Sequence, residues 1–89
     1  MFVQIADGGL INFRQANIIN VFSSNQENII RMIFPSRMTV ELVYQNNDKC
    51  LKAVESMLNA LENGEKQYSL IKNNLSPVDV RYEQLAVKF

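Results

Sequence analysis

The chain lacks the side chain that most often carries acid–base chemistry in proteins, since none of its 89 residues is histidine. Histidine is also the commonest metal ligand, and one cysteine alone cannot fill a closed tetrahedral zinc site. That cysteine, Cys50, recurs at helical spacing with apolar residues, which favours a small core side chain over an activated nucleophile. We therefore predict a protein that is not an enzyme and that holds no metal and no cofactor.

The carboxylates are scattered along the chain, and each has a structural explanation in the sequence. Asp7 falls in a turn, Glu27 in a loop, and Asp48 and Asp79 at the starts of helical patterns. No spacing among them suits the oxygen shell of Mg²⁺ or Ca²⁺. Gly8-Gly9 is not followed by a helical pattern or by the Gly-Lys-Ser/Thr sequence of phosphate loops, so it indicates a hairpin turn.

Arg31 is the charged residue of greatest functional interest, and two interpretations of it stay open. In the strand register derived below it lies opposite Glu41 and near Phe22, which predicts a cross-strand ion pair of roughly 0.2–1 kcal/mol. Alternatively, an arginine beside an aromatic ring on a sheet face can bind a phosphate or a nucleobase. A nucleotide or nucleic-acid site would then use Asn20, Arg31, Glu41 and Arg14.

The composition is that of a globular chain with balanced charge. Apolar residues make up 47% of it and charged residues 20%, and nine Lys and Arg balance nine Asp and Glu. Such a balance does not favour strong phosphate-driven nucleic-acid binding. A single cysteine fits a reducing compartment, and no apolar run is long enough for a membrane span or a secretory signal. We therefore expect a cytoplasmic protein that does not contact a membrane.

Arg31 belongs to a pair of strands whose register can be derived from the sequence. Apolar residues alternate through 29–34 and again through 38–44, on either side of Pro35-Ser36-Arg37. Folding the two runs into a hairpin places Met32 opposite Val40. The remaining pairs follow from this one, because side chains alternate between the two faces of a sheet.

A third strand, 18–23, is expected to pair with 29–34 across a four-residue loop. Two phases are available, and the preferred one sets Asn20 beside Arg31. The other phase buries the Asn20 amide in the core face, where an unpaired amide costs roughly 1–3 kcal/mol. The preferred phase puts Asn20 on the face of the sheet that also carries Arg31.

The two faces of this sheet are both largely apolar. One face, which includes Ile30 and Leu42, is expected to receive a helix. The reverse face would be unusually large as an exposed apolar patch, so either the C-terminal tail or another protein subunit must cover it. The predicted partner-interface residues are Ile18, Phe22, Ile29, Ile33, Val43, Tyr82, Leu85 and Phe89.

Residues 2–13 predict a β-hairpin that precedes these strands. Asp7-Gly8 supplies the positive φ angle that a two-residue hairpin turn needs, and apolar runs flank it. With this turn, Ile5 is expected to face Leu10. The hairpin is therefore predicted as part of the same antiparallel sheet.

Residues 47–63 predict an amphipathic helix that packs on the face with Ile30 and Leu42. Asparagines precede the helix as N-cap candidates, and Gly64 follows it at a position suited to a left-handed residue. Apolar residues recur through it at helical spacing. The predicted buried stripe consists of Cys50, Leu51, Val54, Met57, Leu58 and Leu61.

Residues 65–89 form a C-terminal tail in which helical and strand patterns overlap. Ser76-Pro77-Val78-Asp79 has the residue types of a helix start, and Tyr82 would continue one helical face. Yet Val78, Val80 and Tyr82 also alternate as strand residues do. The sequence favours a helix at 77–85 over a strand. In both cases the tail is apolar enough to pack on the sheet or on a partner subunit.

Residues 2–63 resemble small sheet-plus-helix proteins that are common in phages and their bacterial hosts. The features that carry the resemblance are Phe2-Val3-Gln4-Ile5, the Gly8-Gly9 turn, Ile18-Ile19-Asn20-Val21, Val40-Glu41-Leu42 and the Leu-, Ala- and Glu-containing helix. The layout is also similar to that of the Thoeris anti-defence sponges, which assemble into oligomers and sequester nucleotide signals of host immunity. No ligand-binding motif of that group matches this chain. The resemblance implies a phage or mobile-element origin, with the host cytoplasm as the location.

The sequence therefore predicts an α+β domain at residues 1–64 followed by the tail at 65–89. The predicted elements are an antiparallel sheet of four or five strands (hairpin 2–13, strands 18–23, 29–34 and 38–44) and one helix (47–63) across one face. The predicted function is that of a small binding or assembly module, a homo-oligomer that self-associates through the apolar sheet face or the tail. The alternative is nucleotide or nucleic-acid binding through the face that carries Arg31.

Overall fold

Two β-sheets and one α-helix make up the part of the chain that the computed structural model describes, residues 1–6 and 8–84. One sheet is antiparallel, with the strand order β3-β4-β5-β7, and the other has the order β2-β1-β6 with β6 parallel to β1. The predicted α+β class with an antiparallel sheet and one helix is thus confirmed. The elements are β1 (Phe2–Ala6), β2 (Gly9–Asn12), a 3-10 helix (Phe13–Gln15), β3 (Ile18–Ser24), β4 (Glu27–Ile33), β5 (Met38–Tyr44), α1 (Asn47–Glu62), β6 (Gln67–Ser69) and β7 (Asp79–Gln84).

The pairing of β3, β4 and β5 follows the predicted register. Met32 lies opposite Val40, and Asn20 lies opposite Arg31. The β3–β4 loop is shorter than the four residues expected, because Asn25 and Gln26 adopt positive φ angles of 51° and 66°. Positive φ at both central residues is what a type I′ hairpin turn requires, and its twist matches that of the flanking strands. As a result β3 and β4 extend to Ser24 and Glu27.

The first hairpin differs from the predicted one in register and in the sheet that it joins. A bulge between Gln4 and Ala6 shifts the pairing by one residue, so that Gln4 and not Ile5 lies opposite Leu10. The shifted register buries Val3 and Ile5. The hairpin pairs with β6 in the second sheet and does not extend the first, and the turn residue Asp7 lies outside the described residues.

The core lies between the four-stranded sheet on one side and α1 with the second sheet on the other. As predicted, the face with Ile30 and Leu42 receives α1. Apolar side chains from the four-stranded sheet, from α1 and from the second sheet meet there and exclude water. The fully buried members are Val3, Ile5, Ile30, Met32, Leu42, Cys50, Ala53, Met57 and Leu70.

The buried stripe of α1 is narrower than predicted and is centred on small residues. Ala53 and Ala60 are buried together with Cys50 and Met57, whereas Leu51 and Leu58 are each 45% exposed. Alanines at the contact allow the helix backbone to approach the sheet closely, which explains why the centre of the stripe lies beside the leucines and not on them.

Both predicted helix ends are confirmed. The Asn46 side chain accepts a hydrogen bond from the Lys49 backbone N–H at 3.1 Å. Gly64 has a φ of 74°, and its N–H donates to the Leu61 carbonyl while Glu65 N–H donates to the Ala60 carbonyl. This pair of bonds satisfies two of the unpaired carbonyls at the helix end. Among the described residues, no helix combines the length and the apolar character needed to cross a membrane.

The prediction of a helix at 77–85 is wrong for the residues that are described, because 79–84 form the strand β7. Pairing starts where the Val78 N–H donates to the Val43 carbonyl at 2.8 Å, and β7 then runs antiparallel to β5. The ladder on the open edge of β5 outweighs the local helix-start signal of Ser76-Pro77. Residue 85 lies outside the described residues.

Candidate functional site

The face of the four-stranded sheet that points away from α1, here the outer face, carries most of the predicted site residues. Arg31 lies opposite Glu41 in the ladder, and its Nε donates to Glu41 Oε2 at 2.8 Å. Its guanidinium carbon lies 4.7 Å from the centre of the Phe22 ring, as in a cation–π contact. Arg31 is therefore held by both neighbours that the sequence predicted for it.

A second arginine on the outer face comes from β7, and the sequence reasoning missed it. The Arg81 guanidinium forms a bidentate pair with Glu27 at 2.9 and 3.1 Å and also contacts Asp79 at 3.2 Å. Its hydrogen bonds to Glu27 raise the pKa of the guanidinium above its ordinary value. Because Arg81 belongs to β7 and Glu27 to β4, this pair reaches across β5. The signal that could have identified Arg81 was the alternation of Val80 and Tyr82, which favoured the strand.

These ion pairs lie over much of the apolar outer face. The sequence had not decided whether the tail or another subunit covers this face. Ile29 and Val43, on adjacent strands beneath the ion pairs, are only 4% and 1% exposed. Phe22 and Ile33 are partly buried, and Ile18 is 48% exposed on the outermost strand. The described residues thus cover the outer face except along β3.

Two of the predicted site residues are not brought to the outer face. Tyr82 lies opposite Val40 in the ladder and so projects from the other face of the sheet. Arg14 is exposed on the 3-10 helix, ahead of β3. Leu85 and Phe89, the last two predicted interface residues, lie outside the described residues.

The charge of the outer face is negative where the predicted nucleotide site would need it to be positive. By strand alternation it carries the carboxylates of Glu27, Glu41, Asp79 and Glu83 against the guanidinium groups of Arg31 and Arg81. Both arginines are already paired with carboxylates. A phosphate approaching this face would meet a surplus of like charge.

The free edge of β3 is the feature of this sheet that the sequence reasoning did not use. Among the described residues β3 pairs with β4 alone. The Phe34 N–H donates to the Met38 carbonyl of β5, and backbone groups of successive residues point to opposite sides. Along β4, every second residue counted back from Phe34 therefore points to β5, and the residues between them point to β3. In the β3–β4 ladder it follows that Ile19, Val21 and Ser23 direct their N–H and C=O groups to the open side of β3.

The edge strand itself contains no charged residue. From Gln15 to Gln26 the chain has no charged residue, no proline and no glycine, and Val21 in the middle of the strand is 41% exposed. Proteins usually shield long edge strands with lysine, proline or a bulge, because an open row of N–H and C=O groups is a template for pairing. This uncharged run was visible in the sequence.

The buried thiol does not resemble a nucleophile. Cys50 is completely buried, and burial raises the pKa of its thiol above the ordinary value, which disfavours the reactive thiolate. Within residues 1–6 and 8–84, no group of three or more cysteine, aspartate and glutamate side chains is arranged to hold a metal ion.

Comparisons of the chain with known proteins leave its family undefined. Protein-family models, curated proteins and solved structures all give no match to it. Its class is therefore defined by the fold alone, as an α+β protein with one antiparallel and one mixed sheet.

Proposed function

We propose that this protein is a small assembly module that forms a homodimer by pairing the β3 edges of two copies. The observation that supports this is an exposed strand of seven residues, Ile18–Ser24, with an uncharged and unshielded edge. Antiparallel pairing of two such edges extends two four-stranded sheets into one eight-stranded sheet. A closed twofold dimer of this kind leaves neither copy of β3 open to further chains.

The sequence of β3 is complementary to itself in one register. Only residues whose backbone groups point outward can form the hydrogen-bonded pairs, which restricts these pairs to Ile19, Val21 and Ser23. Pairing Ile19 with Val21 of the second copy, and the reverse, then puts Asn20 opposite its own equivalent on the twofold axis.

The same register brings apolar side chains together on both faces. Ile18 lies opposite Phe22 of the second copy, on the outer face, and Ile19 lies opposite Val21 on the other. Ile18 and Val21 are both about half exposed in the single chain, so pairing removes them from water. Cross-strand pairs of this kind contribute roughly 0.2–1 kcal/mol each beyond the hydrogen bonds.

Sedimentation equilibrium of the full chain and of Asn20→Asp tests this register. The wild-type chain, 10.2 kDa as a monomer, is expected at about twice that mass at tens of micromolar. In Asn20→Asp two carboxylates face each other across the axis, at a Cα separation of about 4.5 Å. Within one chain the new carboxylate lies opposite Arg31, so the monomer fold is expected to be preserved while the dimer is lost.

A pair of lysine substitutions distinguishes the β3 edge from other exposed apolar surfaces as the dimer interface. Val21 and Leu58 are similarly exposed, at 41% and 45%, but Leu58 lies on α1. Val21→Lys is expected to give a monomer, and Leu58→Lys is expected to remain a dimer. A wild-type monomer at these concentrations, or a dimer disrupted by Leu58→Lys and not by Val21→Lys, would refute pairing through β3.

The other functional predictions from the sequence are not strengthened by the geometry. Nucleotide or nucleic-acid binding through Arg31 stays the second hypothesis, and the surplus of carboxylates around that arginine does not favour it. The phage or mobile-element origin, the cytoplasmic location and the lack of enzymatic activity stay predictions.

A further inference from the structure

The end of α1 contains a dipeptide in which a side chain can react with its own backbone. Of the eleven asparagines in the chain, only Asn63 is followed by glycine. The backbone nitrogen of the next residue can attack an asparagine side-chain amide, and glycine has no side chain that hinders this approach. Both residues are exposed, and a Cβ atom added to Gly64 would meet nothing within 4 Å. Asn63 is therefore the asparagine best suited to deamidation.

Deamidation at this position needs water as its only co-reactant. The Gly64 nitrogen forms a bond to Asn63 Cγ, its proton leaves with the Nδ2 group as ammonia, and a five-membered cyclic imide remains. Water then opens the imide. Cleavage of the bond between Cγ and the nitrogen gives aspartate, whereas cleavage of the bond between the main-chain carbonyl carbon and the nitrogen gives isoaspartate.

The closed end of α1 keeps the reacting atoms apart. Ring closure requires the Gly64 nitrogen to eclipse Asn63 Cβ about the Cα–C bond. The ψ angle of Asn63 is 1°, so the Gly64 nitrogen instead eclipses the Asn63 nitrogen, which lies about 120° from Cβ on a tetrahedral Cα. The Gly64 N–H also donates to the Leu61 carbonyl at 3.1 Å, and the Glu65 N–H donates to the Ala60 carbonyl at 3.0 Å. The required rotation breaks both hydrogen bonds.

We propose that Asn63 is a site of spontaneous deamidation whose rate is set by opening of the last turn of α1. Loss of the two hydrogen bonds makes the reaction roughly fivefold to a hundredfold slower in the folded than in the unfolded chain. Helix ends open more often than whole domains unfold, so the folded chain still reacts. This proposal does not rest on the proposed dimer.

Both products weaken the connection between α1 and the second sheet. Aspartate at position 63 adds a carboxylate between Glu62 and Glu65, at the negative end of the helix dipole, where the last turn has no basic residue. Isoaspartate adds a methylene group to the backbone ahead of Lys66, whose carbonyl accepts a hydrogen bond from the Phe2 N–H at 2.9 Å. The modification is therefore expected to loosen the segment that leads into β6.

Mass spectrometry and amide hydrogen exchange of the full chain test the proposal. The protein is kept at neutral pH, either folded or in urea above its unfolding transition, and peptide mapping assigns the deamidated residues. In urea, Asn63 is expected to react before every other asparagine. Folding should slow this reaction and the hydrogen exchange of the Gly64 amide by the same factor, within about threefold, because one opening exposes both.

Two alanine variants distinguish local opening from global unfolding. Leu61 and Val54 both pack against the core, but only Leu61 lies in the last turn of α1. Leu61→Ala is expected to speed deamidation of Asn63 in the folded protein about threefold to tenfold, whereas Val54→Ala should change it less than about twofold. The comparison of folded and unfolded wild-type protein holds even if one variant does not fold.

Equal rates in the folded and the unfolded chain would refute control by α1, and so would equal effects of the two alanine substitutions. A different asparagine that reacts first in urea would refute the assignment to Asn63. Asn63→Asp reproduces one product and is expected to speed hydrogen exchange of the Gly64 amide about twofold to fivefold relative to Asn63→Ser. Equal exchange in these two variants would refute the weakening of the helix end by the added charge.

Discussion

Replacement of Tyr44 by phenylalanine tests how the segment between β6 and β7 is attached to the core. Tyr44 is buried at the end of β5, and its hydroxyl donates to the Leu75 carbonyl at 2.7 Å. Tyr44→Phe keeps the ring and removes this bond, which leaves the Leu75 carbonyl without its donor. The expected loss is about 1–2 kcal/mol in the free energy of unfolding, measured by urea unfolding at pH 7.

The same substitution has a pH dependence whose sign follows from burial. Burial raises the pKa of the Tyr44 phenol far above its ordinary value, with smaller contributions from Cys50 and Tyr68. The unfolded chain therefore ionises this tyrosine first, near pH 10, and the folded chain loses stability as the pH rises above that value. At pH 10.5 the wild-type protein is expected to lose about 0.8 kcal/mol through Tyr44 alone.

The variant cannot lose this contribution, so the stability difference between the two proteins is expected to shrink by that amount between pH 7 and pH 10.5. Cys50, whose pKa burial also raises, is present in both proteins and cancels in the comparison. A difference that stays constant over this pH range, or one below about 0.3 kcal/mol at pH 7, would refute the reasoning.

Two further pairs of substitutions test the placement and the N-cap of α1 by urea unfolding. Met57→Ala is expected to cost about 2–4 kcal/mol because the side chain is fully buried, whereas Leu58→Ala should cost less than about 1 kcal/mol; equal losses would contradict the observed helix face. Asn46→Ala is expected to cost about 1 kcal/mol by removing the acceptor of the Lys49 N–H, and Asn46→Ser should retain most of the stability. A neutral Asn46→Ala would mean that the cap contributes little.

The register of β4 and β5 could be predicted because both faces of these strands constrain it. A slip of one strand by one residue would turn its charged residue, Arg31 or Glu41, toward the core and its core residue, Met32 or Val40, outward, so a single register satisfies the pattern. The Arg31–Glu41 pair followed directly from it, and the observed contact confirms it. Local patterning was also sufficient for α1 and its caps, since the capping residues act on neighbours in the chain.

Pairing between distant segments could not be predicted in the same way. β7 forms because the open edge of β5 offers hydrogen bonds to Val78 and the residues after it, and nothing near Ser76 in the sequence reveals that edge. Arg81 was missed for this reason, although cover of the outer face by the tail was one of the two alternatives that the sequence left open. The predicted register of the first hairpin was wrong because one residue, Ile5, forms a bulge. A bulge leaves little trace in a short alternating run.

The parallel pairing of β1 with β6 has a consequence for the order of folding. Gln4 and Ser69 are hydrogen-bonded although 65 residues separate them, whereas the β4–β5 hairpin closes over a short turn. Closing a long loop loses chain entropy before any contact compensates for it, so non-local pairings form late and slow the reaction. The four-stranded sheet is therefore expected to begin at the β3–β4 and β4–β5 hairpins, and the second sheet to be completed last, when β6 reaches β1.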